Sequence, residues 1–192
     1  MISNVIARVN GNLKPETCEV LAKLAGSVPS GGTILDLNCG EGRSTICMAL
    51  ALRQVSKEAT ILAIDSHITD PISETPYQDG TVMRFLLNLR KFEVMQQVVP
   101  VVAPAYNLGF INKRSANLVI IQSPATSRSA WNEDALEQSM AIAKYALRKG
   151  GIIAACCPAD VHWTAFLSFT KRHFTNAECC TAGPKIKIYE VG

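Results

Sequence analysis

The chain has 192 residues, the size of one ordinary domain, with 48% hydrophobic and 18% charged residues as in a globular protein. Its formal net charge of +3 is mild and its 19 Lys and Arg residues are scattered, which gives no electrostatic case for nucleic acid and leaves a small molecule as the expected partner. Seven cysteines, with two vicinal sets (Cys156-Cys157 and Cys179-Cys180) and no CxxC spacing, argue against a disulfide framework or a zinc site and for reduced thiols in a cytoplasmic compartment.

Residues 1–192 are read as a single domain in which Met1 to Asn12 is a loosely held N-terminal segment. From Lys14 to Ser27, the apolar residues Val20, Leu21, Leu24 and Ala25 recur at helical spacing, and Pro15 suits a first helical turn. Pro29-Ser30-Gly31-Gly32 is a loop leading into an apolar strand, Ile34 to Leu37, interrupted only by Asp36. Gly40-x-Gly42 follows, then Ser44, Thr45 and an apolar helix to Gln54. A strand, a tight glycine loop and a helix in this order place backbone N–H groups beside the carboxyl end of a parallel strand, where open α/β sheets bind ligands.

The carboxylates narrow the ligand. Asp36, fixed at the strand end, would repel a pyrophosphate and favour a cationic ammonium or sulfonium. Thr60 to Ile64 forms a second buried strand that ends at Asp65, whose carboxylate can accept hydrogen bonds from both hydroxyls of a ribose. Together these are nucleoside-binding features.

The run Ile34-Leu35-Asp36-Leu37-Asn38-Cys39-Gly40-Glu41-Gly42-Arg43-Ser44-Thr45, followed by Ala63-Ile64-Asp65, resembles the first two motifs of class I S-adenosylmethionine-dependent methyltransferases. Its Gly-Arg-Ser-Thr ending is similar to that of a subgroup of small O-methyltransferases and hydroxylase-like relatives. The resemblance implies an α/β, three-layer Rossmann-like methyltransferase fold with a mostly parallel seven-stranded sheet and an antiparallel last strand. It also implies S-adenosylmethionine as cofactor, bound by Asp36, Asn38, Gly40, Gly42, Ser44, Asp65, Ser66, Ala103, Pro104 and Gln122. Asn38 departs from the pattern, since the family usually has glycine there. Asn is the non-glycine residue best able to take a positive φ, so the turn survives.

Beyond Asp65, a polar stretch from Ser66 to Gly80 is longer than the usual connection and reads as a lid or substrate loop, with His67 in reach of ribose or substrate. Thr81 to Phe92 has helical spacing through Val82, Phe85, Leu86, Leu89 and Phe92, and Val98 to Val102 is the third strand. The resemblance places Ala103, Pro104 and Ala105 beside the adenine, held by apolar packing and backbone groups. Asn117 to Ile121 is a fourth strand, buried on both faces. Metal-dependent relatives carry an aspartate after this strand and further ligands after the fifth. Here Gln122-Ser123-Pro124 and Cys156-Cys157-Pro158 offer a hard cation no carboxylate, so no catalytic metal is expected. Gln122 could still orient the substrate.

Trp131 begins a helical pattern capped by Ser129 or Asn132. Leu147-Arg148-Lys149-Gly150-Gly151 closes that helix and opens the fifth strand, a turn that closely resembles the family's. Pro158 to Trp163 is then placed at the rim of the same crevice. Methyl transfer to a hydroxyl needs an aligned acceptor and a base near its proton, and His162, with Asp160 two residues away, is the best base in the chain. Val161 to His173 also reads as an amphipathic helix, and Asn176 to Val191 as a hairpin turning at Gly183-Pro184. The N-terminus lacks a basic-then-apolar leader, and no apolar run approaches the roughly 18 residues of a membrane span.

The leading expectation is a metal-independent methyltransferase acting on a small-molecule or sugar hydroxyl. Its alternatives are a non-catalytic relative working through cofactor or protein binding and, least favoured, an NAD-dependent oxidoreductase.

Overall fold

The computed structural model describes residues 1–67, 81–103, 111–122, 133–156, 163–174, 177–183 and 186–191. Strand β1 (Thr33–Leu37) lies inside the sheet, parallel to β2 (Thr60–Asp65) on one side and β4 (Ala116–Gln122) on the other. Beyond β2 lies β3 (Val98–Val102) and beyond β4 lies β5 (Leu147–Cys156), both parallel to their neighbours. The chain runs outward from β1 to β3, then returns across to β4. That reversal makes the carboxyl ends of β1 and β4 a topological switch point, where such sheets open a ligand crevice. The sheet continues with β7 (Ile186–Val191), antiparallel to β5, and β6 (Ala177–Gly183), giving the order β3-β2-β1-β4-β5-β7-β6.

Strand periodicity divides the apolar residues between two cores. Ile34, Ile61, Leu118 and Ile120 point to one face, against Leu21 of α2 (Pro15–Ser27), Ile46 and Met48 of α3 (Arg43–Gln54), and Phe85 and Leu89 of α4 (Thr81–Lys91). Leu35, Leu37, Val119 and Ile121 point to the other, against Leu136, Met140 and Ala143 of α5 (Glu133–Ala146). Helix, sheet and helix thus form three layers. The last helix is α6 (Trp163–His173). Among the described residues no helix is long and apolar enough to cross a membrane.

Two expectations are corrected. The N-terminal segment is not loose: Ile2–Arg8 forms helix α1, with Val5 and Val9 buried in the first core. A helix of seven residues is marginal in water, and its order comes from tertiary contacts. Second, the Leu147-Arg148-Lys149 sequence belongs to β5 and not to the end of a helix, because Leu147 already pairs with Ala116 before the register shifts and resumes at Leu118 opposite Ile152. Gly150, at φ 71°, lies within that irregularity. Of the proposed lid from Ser66 to Gly80, residues 68–80 lie outside the described residues, as do the capping residues Ser129 and Asn132.

Candidate functional site

The loop from Asn38 to Gly42 turns at three positive-φ residues: Asn38 at 61°, Gly40 at 54° and Gly42 at 92°. Asn38 therefore takes the left-handed conformation itself, and its N–H donates to the Ile64 carbonyl at 2.8 Å. Gly42 is the N-cap of α3, and its carbonyl accepts the Ile46 N–H at 2.8 Å. Among the described residues, nothing lies within 4 Å of where a Cβ on Gly40 would stand, so they leave this face of the loop open to a ligand.

At the end of β2, Asp65 folds its carboxylate against the loop. One oxygen accepts the Gly40 N–H at 2.8 Å and the other accepts the His67 N–H at 2.7 Å. A carboxylate offers about four lone-pair sites, so each oxygen keeps capacity for another donor. The residue is half-buried, as is Ser66. His67, at φ 51°, tilts its ring against Phe85 with centroids 5.7 Å apart. Its Nδ1 is buried without a partner among the described residues, and burial holds the imidazole pKa below its usual value against the opposing pull of Asp65. Ala103 is placed beside Asp65 by the hydrogen bond from its N–H to the Asp65 carbonyl, 3.1 Å.

Asp36 is where the geometry departs from the sequence reading. The side chain is fully buried, and its oxygens face the first turn of α3 and the end of β4. Ser44 and Thr45 donate to one oxygen at 2.7 and 2.6 Å, and the amide of Gln122 donates to the other at 2.6 Å. Gln122 also donates to the Ser44 hydroxyl at 2.8 Å. Desolvation outweighs these three hydrogen bonds and lifts the Asp36 pKa from 3.8 to about 6. The group is still anionic at neutral pH, but its oxygens and the Ser44 hydroxyl serve the interior and not a direct ligand contact. Contact repulsion of a pyrophosphate therefore loses its basis. Gln122 likewise faces Asp36 and Ser44, so its side chain braces the loop where substrate orientation was expected.

Arg43, Thr45, Phe85 and Glu41 were named in the sequence only as motif or helix residues, with no contact assigned to them. Arg43 opens α3, and its guanidinium donates to the carbonyls of Ile6, Val9 and Leu13 at the end of α1 and just beyond it. A cation at the first position of a helix whose middle is apolar was the available signal. Removing it with Arg43→Ala is expected to cost about 2 kcal/mol, since hydrogen bonds from charged donors carry more than neutral ones. It should also abolish hydrogen-exchange protection in residues 2–9, while Arg43→Lys, a point charge without the planar fork, restores it only in part. Unchanged protection in the alanine variant would show that packing alone holds α1. On the other side, Glu41 pairs with Arg84 at 2.7 Å and its carbonyl accepts the Asn88 amide at 3.0 Å, tying α4 to the loop.

His162, Asp160 and Pro104 lie outside the described residues. Among the described residues, no group of three or more His, Cys, Asp or Glu side chains is gathered to hold a metal ion. Cys39 is buried and its thiol pKa is pushed well up by desolvation, so it is an inert packing residue.

No protein-family model matches the sequence, and no curated protein matches it. Solved structures do. An rRNA methylase, so designated provisionally, from Clostridium thermocellum superposes with a TM-score of 0.68 at 16% identity, covering 94% of this chain and 99% of its own. An S-adenosylmethionine-dependent O-methyltransferase from Thermotoga maritima superposes at 0.67 and 16% identity, over 93% of this chain and 65% of its own. The fold is that of the class I S-adenosylmethionine-dependent methyltransferases. A further structure with this methyltransferase fold, from Streptococcus mutans and in complex with S-adenosylhomocysteine, superposes at 0.64 and 14% identity, over 91% of this chain and 97% of its own. The Clostridium neighbour also overturns one expectation. An rRNA methylase shares this methyltransferase fold over nearly its whole length, so a mild, scattered charge is no ground for excluding nucleic acid in favour of a small-molecule partner.

Proposed function

We propose that the chain is an S-adenosylmethionine-dependent methyltransferase that works without a catalytic metal. The observation that carries this reading is the Asp65 carboxylate, fixed at the carboxyl end of β2 by the Gly40 and His67 N–H groups with acceptor capacity left over. A ribose offers two hydroxyl donors to such a group. The open face at Gly40 gives an extended ligand room beside it. Fold neighbours described as S-adenosylmethionine-dependent, or holding S-adenosylhomocysteine, support the same cofactor.

In this reading the cofactor supplies a methyl group on a sulfonium. Asp65 holds the ribose, the open face of the glycine loop and Ala103 line the site, and Asp36 places a buried negative charge at the first turn of α3. His162, with Asp160 two residues away, takes the proton of the acceptor. Gln122 ends β4 where a metal-dependent relative would have a carboxylate, which supports the metal-independent course. Asn38 adopts the positive φ that the turn requires, which supports a loop still shaped for the cofactor.

The test is a calorimetric titration with S-adenosylmethionine, S-adenosylhomocysteine and NAD. Binding of the two adenosyl ligands but not NAD is expected, with Asp65→Ala weakening S-adenosylhomocysteine about tenfold or more through loss of charge-assisted hydrogen bonds. Equal affinity in the variant would remove Asp65 from the cofactor site, and NAD binding would favour the oxidoreductase. Acceptors are then screened with RNA first and hydroxyl compounds beside it, against wild type and His162→Ala.

A further inference from the structure

Asn38 is more than a residue tolerated in place of glycine. Its side-chain Nδ2 donates to the backbone carbonyl of Gln122 at 3.0 Å, across 84 residues of sequence. Gln122 is the last residue of β4, on the far side of the switch point from β2. The same residue reaches with its side chain to Asp36 on β1 and to Ser44 on α3. One residue at the end of β4 thus contacts the strand before the glycine loop, the loop and the helix after it. Glycine at position 38 would give the turn without this tie to β4.

We propose that Asn38 is a positioning residue, whose side chain fixes the glycine loop to the carboxyl end of β4 and so holds the loop in register with β1 and β4 at the switch point. This rests on the methyltransferase reading for its ligand, but the bridge itself does not depend on that reading.

Asn38→Gly separates the two roles because they predict opposite signs. Glycine adopts a φ of 61° more readily than Asn does, so if Asn38 were only a tolerated turn residue the variant would be neutral or better. As a bridge it is worse: the Gly40 and Gly42 amides should exchange with solvent about tenfold faster in the ligand-free protein. The S-adenosylhomocysteine dissociation constant should rise about three- to tenfold, the range spanned by loss of one neutral hydrogen bond, while the melting temperature moves little. Asn38→Asp keeps the tolerance for positive φ but cannot donate, and should match or exceed the glycine defect in both measurements. Unchanged exchange and equal or tighter S-adenosylhomocysteine binding in Asn38→Gly would overturn the proposal. Failure of the wild type to bind S-adenosylhomocysteine would instead overturn the functional reading, and the exchange measurement would still decide the bridge.

Discussion

Replacing Asp36 with Asn is expected to stabilise the protein at neutral pH, and the gain should vanish in acid. The carboxyl group is fully buried, with a pKa of about 6 in the folded chain against 3.8 for the ordinary group. The difference, 6 − 3.8, is about two units, or about 3 kcal/mol at 1.36 kcal/mol per unit. Between these values the folded state binds the proton and the unfolded state does not, so stability falls as pH rises from about 4 through about 6 and stays low above. Asn cannot ionise. Its carbonyl can accept the Gln122 amide, and its NH2 can donate to the Thr45 hydroxyl, which rotates to receive it. Denaturant unfolding of both proteins across pH 4 to 7.5 should show near-equal stability at the acid end and an Asn variant more stable by up to about 3 kcal/mol at the neutral end. A difference that does not change with pH would mean that Asp36 titrates alike in both states. A buried carboxylate that costs stability in this way is the kind of local conflict found at functional sites. The companion expectation is that Asp36→Asn binds the sulfonium cofactor less well at pH 7.5, in proportion to the lost negative charge at the first turn of α3.

The orientation of Asp36 shows what the sequence made legible and what it did not. The strand, glycine loop and helix were readable because their signals are local: apolar runs, two glycines and helical spacing. Residues i and i+2 of a strand share a face, so Asp36 had to point with Ile34 toward α3, and Ser44 and Thr45 in the first turn of α3 were within reach. Strand period thus implied the side of the sheet, but not that a residue 86 positions later would complete the network. Helix α1 was illegible for a related reason. Seven residues carry too little pattern, and their order depends on Val5 and Val9 in the core and on an arginine more than thirty residues away. At β5 the signal was present and misleading. Lys149-Gly150-Gly151 has the composition of a helix stop, yet Leu147 pairs with Ala116, so extended structure begins before the glycines.

The two loop glycines should fail in different ways when given a methyl group. At Gly42, φ is 92° and a Cβ would stand 2.8 Å from Cδ2 and 2.9 Å from Cε2 of Phe85. That ring is 1% exposed and tilted against His67, so it has little room to withdraw. Backbone strain of about 1–3 kcal/mol and overpacking of similar size together put Gly42→Ala at a loss of about 3 kcal/mol, a fall of roughly 10 °C in melting temperature for a chain of this length. At Gly40, φ is 54° and the added Cβ meets nothing within 4 Å among the described residues, so the left-handed penalty of about 1 kcal/mol is the expected cost. The methyl group there projects onto the face that the cofactor reading assigns to the ligand. Gly40→Ala should therefore keep most of its melting temperature and lose S-adenosylhomocysteine affinity by about tenfold or more, whereas Gly42→Ala loses stability first and affinity only as the loop shifts. Thermal unfolding with calorimetry on the same two variants separates the effects. A Gly42→Ala protein as stable as the wild type would show that Phe85 yields to the loop. A Gly40→Ala protein with undiminished affinity would place the cofactor away from that amide and reassign the loop's open face to another ligand group.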